Sequence, residues 1–177
     1  MKKIVVLLAL LIPGVLCIAS CGSDGKKEPT SSIQPDSTVC AMLGRSTTDV
    51  LFNPSSVTCY TLMAKGVVDS ADVEVEPYWV RDSLIGKLAP ETYGILQFAL
   101  IANGENYKDD TLRIKAPYIP VLEFEFQQKE LAAHVLISLS DQTWTVMQDN
   151  QRQIHFNFRD PELMRRFCEL FVKIDND

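Results

Sequence analysis

Few side chains in this sequence are equipped for chemistry. The histidines are His134 and His155, and the most regularly spaced acids are Asp72, Glu74 and Glu76. A zinc ion shared by histidines needs each ligating nitrogen about 2 Å away. Both histidines fall in stretches that read as strands of one meander with another strand between them, and two strand steps amount to about 10 Å. Each is therefore read as a sheet residue without a metal. The three carboxylates would share one face of a strand at intervals of about 7 Å. There they spread apart instead of converging on calcium with carbonyl oxygens, and they are expected to form a solvated face. The sequence contains no HExxH helix, no glycine-rich phosphate loop and no GxSxG elbow. No catalytic residue, metal or cofactor is assigned, although triads assembled from distant positions keep a hydrolase as a remote alternative.

Two other groups have recognition or redox potential. Tyr78 and Trp79 follow the acidic stretch after Pro77. Exposed, they would make a sugar-stacking or protein-binding edge; the alternative is that both rings belong to the core. Cys40, Cys59 and Cys168 lie beyond residue 38. Cys168 borders an apolar helical stripe and reads as a small hydrophobe. Cys40 and Cys59 are then the expected disulfide pair in an oxidising compartment, closing a loop worth about 3 kcal/mol in the chain-entropy model. Three reduced thiols are the alternative.

The second half of the chain holds the clearest elements. In "VLEFEFQ", Leu122, Phe124 and Phe126 alternate with Glu123, Glu125 and Gln127, giving one apolar and one solvated strand face. "AHVLISLS" from Ala133, "TWTVMQ" from Thr143 and "QIHFNF" from Gln153 follow across turn signals at Asp141–Gln142 and Asp149–Asn150. The pattern then changes to helical. Asp160 is a good N-cap and Pro161 suits the first helical position. Leu163, Met164, Phe167, Leu170, Phe171 and Ile174 form one stripe opposite Glu162, Arg165, Arg166, Glu169 and Lys173. The expected fold is α+β, an antiparallel meander packed against this C-terminal amphipathic helix. In the first half, "VTCYTLM" from Val57 and "DVEVE" from Asp72 read as strands. "YGILQFALIA" from Tyr93 is apolar on all sides; Pro90 and Asn103–Gly104 bracket it with helix signals, but a strand extending the meander is the expectation. "GENYKDDTLRIKAPYIP" reads as loop.

The N-terminus supplies an address. Lys2 and Lys3 precede an apolar stretch that is broken by Pro13–Gly14 and ends at Ala19–Ser20, the layout of a secretory signal. It is shorter than the roughly 20 apolar residues of a membrane span. Ile18, Ala19, Ser20 and Cys21 resemble a bacterial lipobox, with Ile18 where leucine is usual, so the chain resembles a bacterial lipoprotein cut before Cys21 by signal peptidase II. The resemblance implies fatty acyl chains of the palmitate type on Cys21 and an anchor in a membrane. Gly22 in place of an inner-membrane retention aspartate implies the outer membrane. Asp24 and Glu28 are similar to the acids that follow the lipidated cysteine in small lipoproteins of Bacteroidales-type bacteria. A buried chain contributes about 0.8 kcal/mol per methylene, and two or more chains hold a protein stably. The organisation is thus a signal peptide over 1–20, a tether over 21–38 that is too polar to fold, and one globular domain over 39–177.

Formal charge is −6 for the full chain, and 15 basic against 23 acidic residues give −8 once residues 1–20 are removed. Such a chain is repelled by phosphate backbones and anionic headgroups, which excludes nucleic acid as a partner class. The expected function is a lipid-anchored cell-envelope protein of non-catalytic accessory or protein-interaction type, facing the periplasm or the surface, with a protein partner. The alternative is a binding module for a glycan or small apolar molecule, with Trp79, Trp144 or Tyr93 lining a cavity on the sheet. Cys21→Ala is expected to leave the signal uncleaved and move the protein out of the membrane fraction; fractionation with intact-mass measurement checks both.

Overall fold

Folded structure begins with a side-chain cap. In the computed structural model, which describes residues 33–65, 78–108, 111–113, 118–148 and 152–174, the Asp36 carboxylate accepts from the Val39 N–H at 3.0 Å and starts α1 (Ser37–Leu43). Its second oxygen accepts from the Gly104 N–H at 2.7 Å. A Cβ at position 104 would lie 2.1 Å from that oxygen, so only glycine permits the contact. The cap brings the first helix forward to Ser37, ahead of the expected domain start at Val39. Gly44, with φ of +79°, separates α1 from α2 (Arg45–Phe52), a conformation that glycine adopts at little cost.

Six antiparallel strands form one sheet. They are β1 (Ser56–Ala64), β2 (Trp79–Lys87), β3 (Leu122–Gln128), β4 (Leu131–Ser138), β5 (Thr143–Gln148) and β6 (Arg152–Asn157), ordered β2-β1-β3-β4-β5-β6. The four strands β3 to β6 are the meander read from the alternation, and the β1–β2 pair is added along β3. Between β3 and β4, Lys129 takes a positive φ of 56°, and Gln142 does the same between β4 and β5.

One sheet face carries the core. Phe124 and Phe126 on β3, Val135 on β4 and Trp144 on β5 are fully buried there, with helical residues Val39, Leu51, Leu100 and Phe167 in the same cluster. The C-terminal helix, α4 (Pro161–Cys168), starts on Asp160, whose carboxylate accepts from the Leu163 N–H. Phe167 stacks at 5.7 Å on Phe124, and Phe171, just past the helix, meets both rings edge-on. The α+β architecture follows: an antiparallel meander with its C-terminal amphipathic helix packed on it. The stripe is narrower than its sequence suggests. Leu163, in the first turn, is 43% exposed, and the helix stops at Cys168, before Leu170, which is 66% exposed.

Residues 91–102 correct an expectation. They form no strand: α3 (Pro90–Leu96) runs directly into a π-helical turn, Gln97–Ile101, and a 3-10 turn follows at Gly104–Tyr107. The helix signals at Pro90 and Asn103 prevail because this segment covers the sheet instead of widening it. Tyr93 meets Phe126 edge-on. Leu96, Leu100 and Ile101 point into the core. The π turn is held from outside its own backbone: the buried Gln97 amide donates to the Leu51 carbonyl, and Asn106 Nδ2 donates to the carbonyls of Ala99 and Leu100. The segments Ser37–Phe52 and Trp79–Lys87, given no element by the sequence reading, are α1, α2 and β2. The acids Asp72, Glu74 and Glu76 lie outside the described residues, as do the signal, Cys21 and the tether to residue 32.

Removing the Phe167 ring removes its contacts with Phe124 and Phe171 together. Phe167→Ala is expected to cost about 3–5 kcal/mol, and Phe167→Asp to abolish the cooperative transition; circular dichroism melts measure both.

Candidate functional site

The opposite face of the sheet holds most of the chemistry-bearing side chains. Strand alternation sends Tyr60, Glu123, Glu125 and His134 to this side, in pairs fixed by the register: Tyr60 faces Glu123, and Glu125 faces His134. From the edge, β2 contributes Arg81. Its guanidinium donates from Nε to Glu123 at 2.8 Å and from Nη2 to Glu123 at 2.6 Å, and Nη2 also reaches Glu125. The guanidinium carbon lies 3.9 Å above the centre of the Tyr60 ring, a cation–π geometry. His134 Nδ1 stands 2.7 Å from the other side of Glu123.

Glu123 overturns the reading that its strand face is solvated: the residue is 3% exposed. Burial alone would raise its carboxyl, but the Arg81 hydrogen bonds, the His134 contact and the charges of both outweigh it, holding the group down at about 2. The carboxylate stays ionised because a fixed, bidentate cation faces it.

Glu123, Glu125 and His134 present ligand atoms within 4.8 Å of one another. This does not make a metal centre. Arg81 already supplies positive charge to both carboxylates, and a zinc ion at about 2 Å from each ligand would have to displace a guanidinium that forms three hydrogen bonds. The cluster is an internal ion pair that ties the edge strand to the middle of the sheet.

A second polar group sits farther along the same face. Thr145 donates to the Tyr118 hydroxyl at 2.8 Å and lies 2.6 Å from His155 Nδ1. A hydroxyl beside an imidazole is the opening of a nucleophile–base pair. Here Thr145 is fully buried, its proton is directed to Tyr118, and burial lowers the His155 pKa. Among the described residues no carboxylate orients the second ring nitrogen. The pair is a sealed hydrogen-bond chain. His134 and His155 stand on β4 and β6 with β5 between them, the separation read from the sequence.

The aromatic pair is divided. Trp79 is half-buried against Leu62, Leu136 and Met147 on the polar face, whereas Tyr78 is exposed. Around them the β1–β2 edge leaves Met63 50%, Val80 40%, Leu84 65% and Ile85 40% exposed. Asp82 and Ile85 are skipped by the register with β1, so β2 carries two bulges. Trp144 and Tyr93, expected with Trp79 around a ligand cavity, lie in and against the core on the other face. A separate open cleft of about 630 Å³ is lined by Gln34, Cys40, Arg45, Asp49 and Phe52 among others.

The three thiols are free. The expected Cys40–Cys59 bridge is not formed, since Cys40 is exposed on α1 while Cys59 points into the core. Burial, followed by the proximity of Cys168, pushes the Cys59 thiol up to about 12, and burial pushes Cys168 up to about 12. Both behave as inert hydrophobes. Compared with family models, curated proteins and solved structures, the chain has no significant match.

Arg81→Ala strands a buried carboxylate with His134 as its remaining partner. The expected cost is about 2–4 kcal/mol, softened because solvent enters from the Arg81 side, and Glu123→Gln in the same chain should recover part of it. The folded-state pKa of Glu123 lies below its ordinary 4.5, so its contribution is complete above that pH and is lost as pH falls through about 2. Acid titration of urea midpoints should show this loss in the wild type and not in Glu123→Gln.

Proposed function

We propose that this protein is a non-catalytic accessory lipoprotein of the outer membrane, anchored by acyl chains on Cys21, that engages a protein partner through the edge formed by β1 and β2. The carrying observation is the exposure of four large apolar residues along that edge, Leu84 on the Arg81 side of the sheet, Met63 and Val80 on the other, and Ile85 at a bulge. Clustered exposed apolar side chains mark interaction surfaces, whereas single ones are ordinary. The edge is held stiff: Arg81, near the start of β2, is fastened to Glu123 and Glu125, so its presentation loses little freedom on binding.

The bulges at Asp82 and Ile85 select the mode of contact. They interrupt the regular row of free N–H and C=O groups that an added strand needs, as protected edges commonly do. Contact through side chains, with an apolar patch on the partner, is favoured over strand addition. An anchor on Cys21 would confine the domain near envelope partners and raise its effective concentration there. The groups capable of chemistry are engaged internally, Glu123 by Arg81 and Thr145 by Tyr118 and His155, which supports a non-catalytic role. A glycan or small-molecule module draws less support, because the rings of Trp79, Trp144 and Tyr93 are split between opposite faces.

A photo-crosslinker at Leu84 in detergent-solubilised native membranes is expected to trap one defined partner. Val80→Asp, expected to preserve melting temperature and membrane fractionation, should remove that adduct. Retention of the same partner by Val80→Asp would refute the edge as the docking surface.

A further inference from the structure

A second exposed apolar face stands where the chain departs towards Cys21. Ile33 begins the described chain, and its Cδ1 would lie 3.9 Å from a Cβ placed on Gly94 of α3. Three residues later the Asp36 N–H donates to the Ala102 carbonyl, and the Asp36 carboxylate holds Gly104. The incoming chain therefore runs beside this element from Gly94 in α3 to Ala102 and Gly104 past the π-helical turn. On that element Phe98 is 72% exposed and Ile95 47% exposed. Phe98 is four residues after Gly94 and three after Ile95, spacings that put side chains on one side of a helix. The outward apolar pair is thus on the side of the helix that meets Ile33.

From Thr92 to Ala102 the chain carries no charged residue. Moving this surface into a less polar medium strips no ion of its water, whereas a Lys, Arg, Asp or Glu there would oppose it strongly. Phe98 is the most exposed of the large apolar residues described, and it belongs to an element whose other side is fixed to the core by Gln97, Leu100 and Ile101. Ile33 is twelve positions after Cys21. Fully extended, that stretch spans at most about 40 Å, so acyl chains on Cys21 would keep this face within that distance of the bilayer.

Resting on the lipid-anchored reading above, we propose that the Ile95–Phe98 face of α3 and its π turn docks on the headgroup–acyl boundary of the anchoring membrane. The occupant is a lipid surface recognised by burial of apolar side chains, and the excess acid of the mature chain makes it a zwitterionic surface in preference to an anionic one. Docking would fix the orientation of the domain and turn a one-point attachment into a two-point one.

The test uses the full protein purified from its native membranes and reconstituted in phosphatidylcholine vesicles containing brominated lipid, a short-range quencher of tryptophan. Phe98→Trp is compared with Met63→Trp, the exposed control at the end of β1 remote from the β2–α3 connection, and the signal from Trp79 and Trp144 is taken from the unsubstituted protein. The expected result is loss of most of the emission added at position 98, with the emission added at position 63 retained. Vesicle-bound protein whose emission at position 98 ignores brominated lipid would overturn membrane docking while leaving the anchor intact; blue-shifted emission without quenching would then mean that the face is covered by this chain or by a second copy of it. Protein that fails to float with vesicles and carries no acyl group on Cys21 overturns the anchored reading, and this proposal with it.

Discussion

Both halves of the molecule are organised by the two-residue period of β3. Leu122, Phe124 and Phe126 face the helices, and Glu123 and Glu125 face away. The first set requires a cover of apolar helices, which α3 with its π turn and α4 provide through Tyr93 and Phe167. The second set requires compensation of buried negative charge, which β2, a strand outside the meander, provides through Arg81, with His134 of β4 on the other side. A shift of one residue in register would exchange the two sets, bringing phenylalanines into the ion pair and carboxylates into the core. Register is therefore enforced from both faces at once, and β1 is locked by Cys59 opposite Phe124 and Tyr60 opposite Glu123.

The meander was legible because its strands alternate and its turns carry polar signals. The C-terminal helix was legible because Asp160 and Pro161 mark its start. The first half was not, for identifiable reasons. In β2 the bulges at Asp82 and Ile85 insert two residues into the period, so "WVRDSLIGK" never shows an alternation although Trp79, Arg81 and Leu84 share a face. In "YGILQFALIA" apolar residues occupy the exposed as well as the core side, since Ile95 and Phe98 remain outward, and that erased the helical period. The start of α1 is set by Asp36, whose second oxygen reaches Gly104, a contact across 68 positions that no local pattern announces.

The polar cluster shows the same limit from the side of chemistry. Glu123 and Glu125 were visible as alternating acids and were read as solvated, because the cation that buries them sits 42 positions earlier in a strand without a signature. His134 was placed on the correct strand, but its Glu123 partner is a diagonal neighbour, since the register sets His134 opposite Glu125. What the sequence lacked was Arg81, and with it the distinction between an open acidic face and a closed ion pair.

That distinction bears on how an edge strand can be both exposed and well ordered. β2 has solvent on most of its length, and its apolar side chains at Val80, Leu84 and Ile85 contribute little core burial to hold it in place. A strand in that position frays unless something other than hydrophobic packing fixes it. The bidentate contact of Arg81 with Glu123, with the guanidinium resting on Tyr60, supplies a directional fastening from the buried centre of the sheet. It frees the outward side chains of β2 from the task of stabilising the fold, so that their composition is open to selection for contact with something outside the molecule. The bulges limit that contact to side chains by breaking the backbone row, and the ion pair holds the strand in place without requiring its apolar residues to be buried.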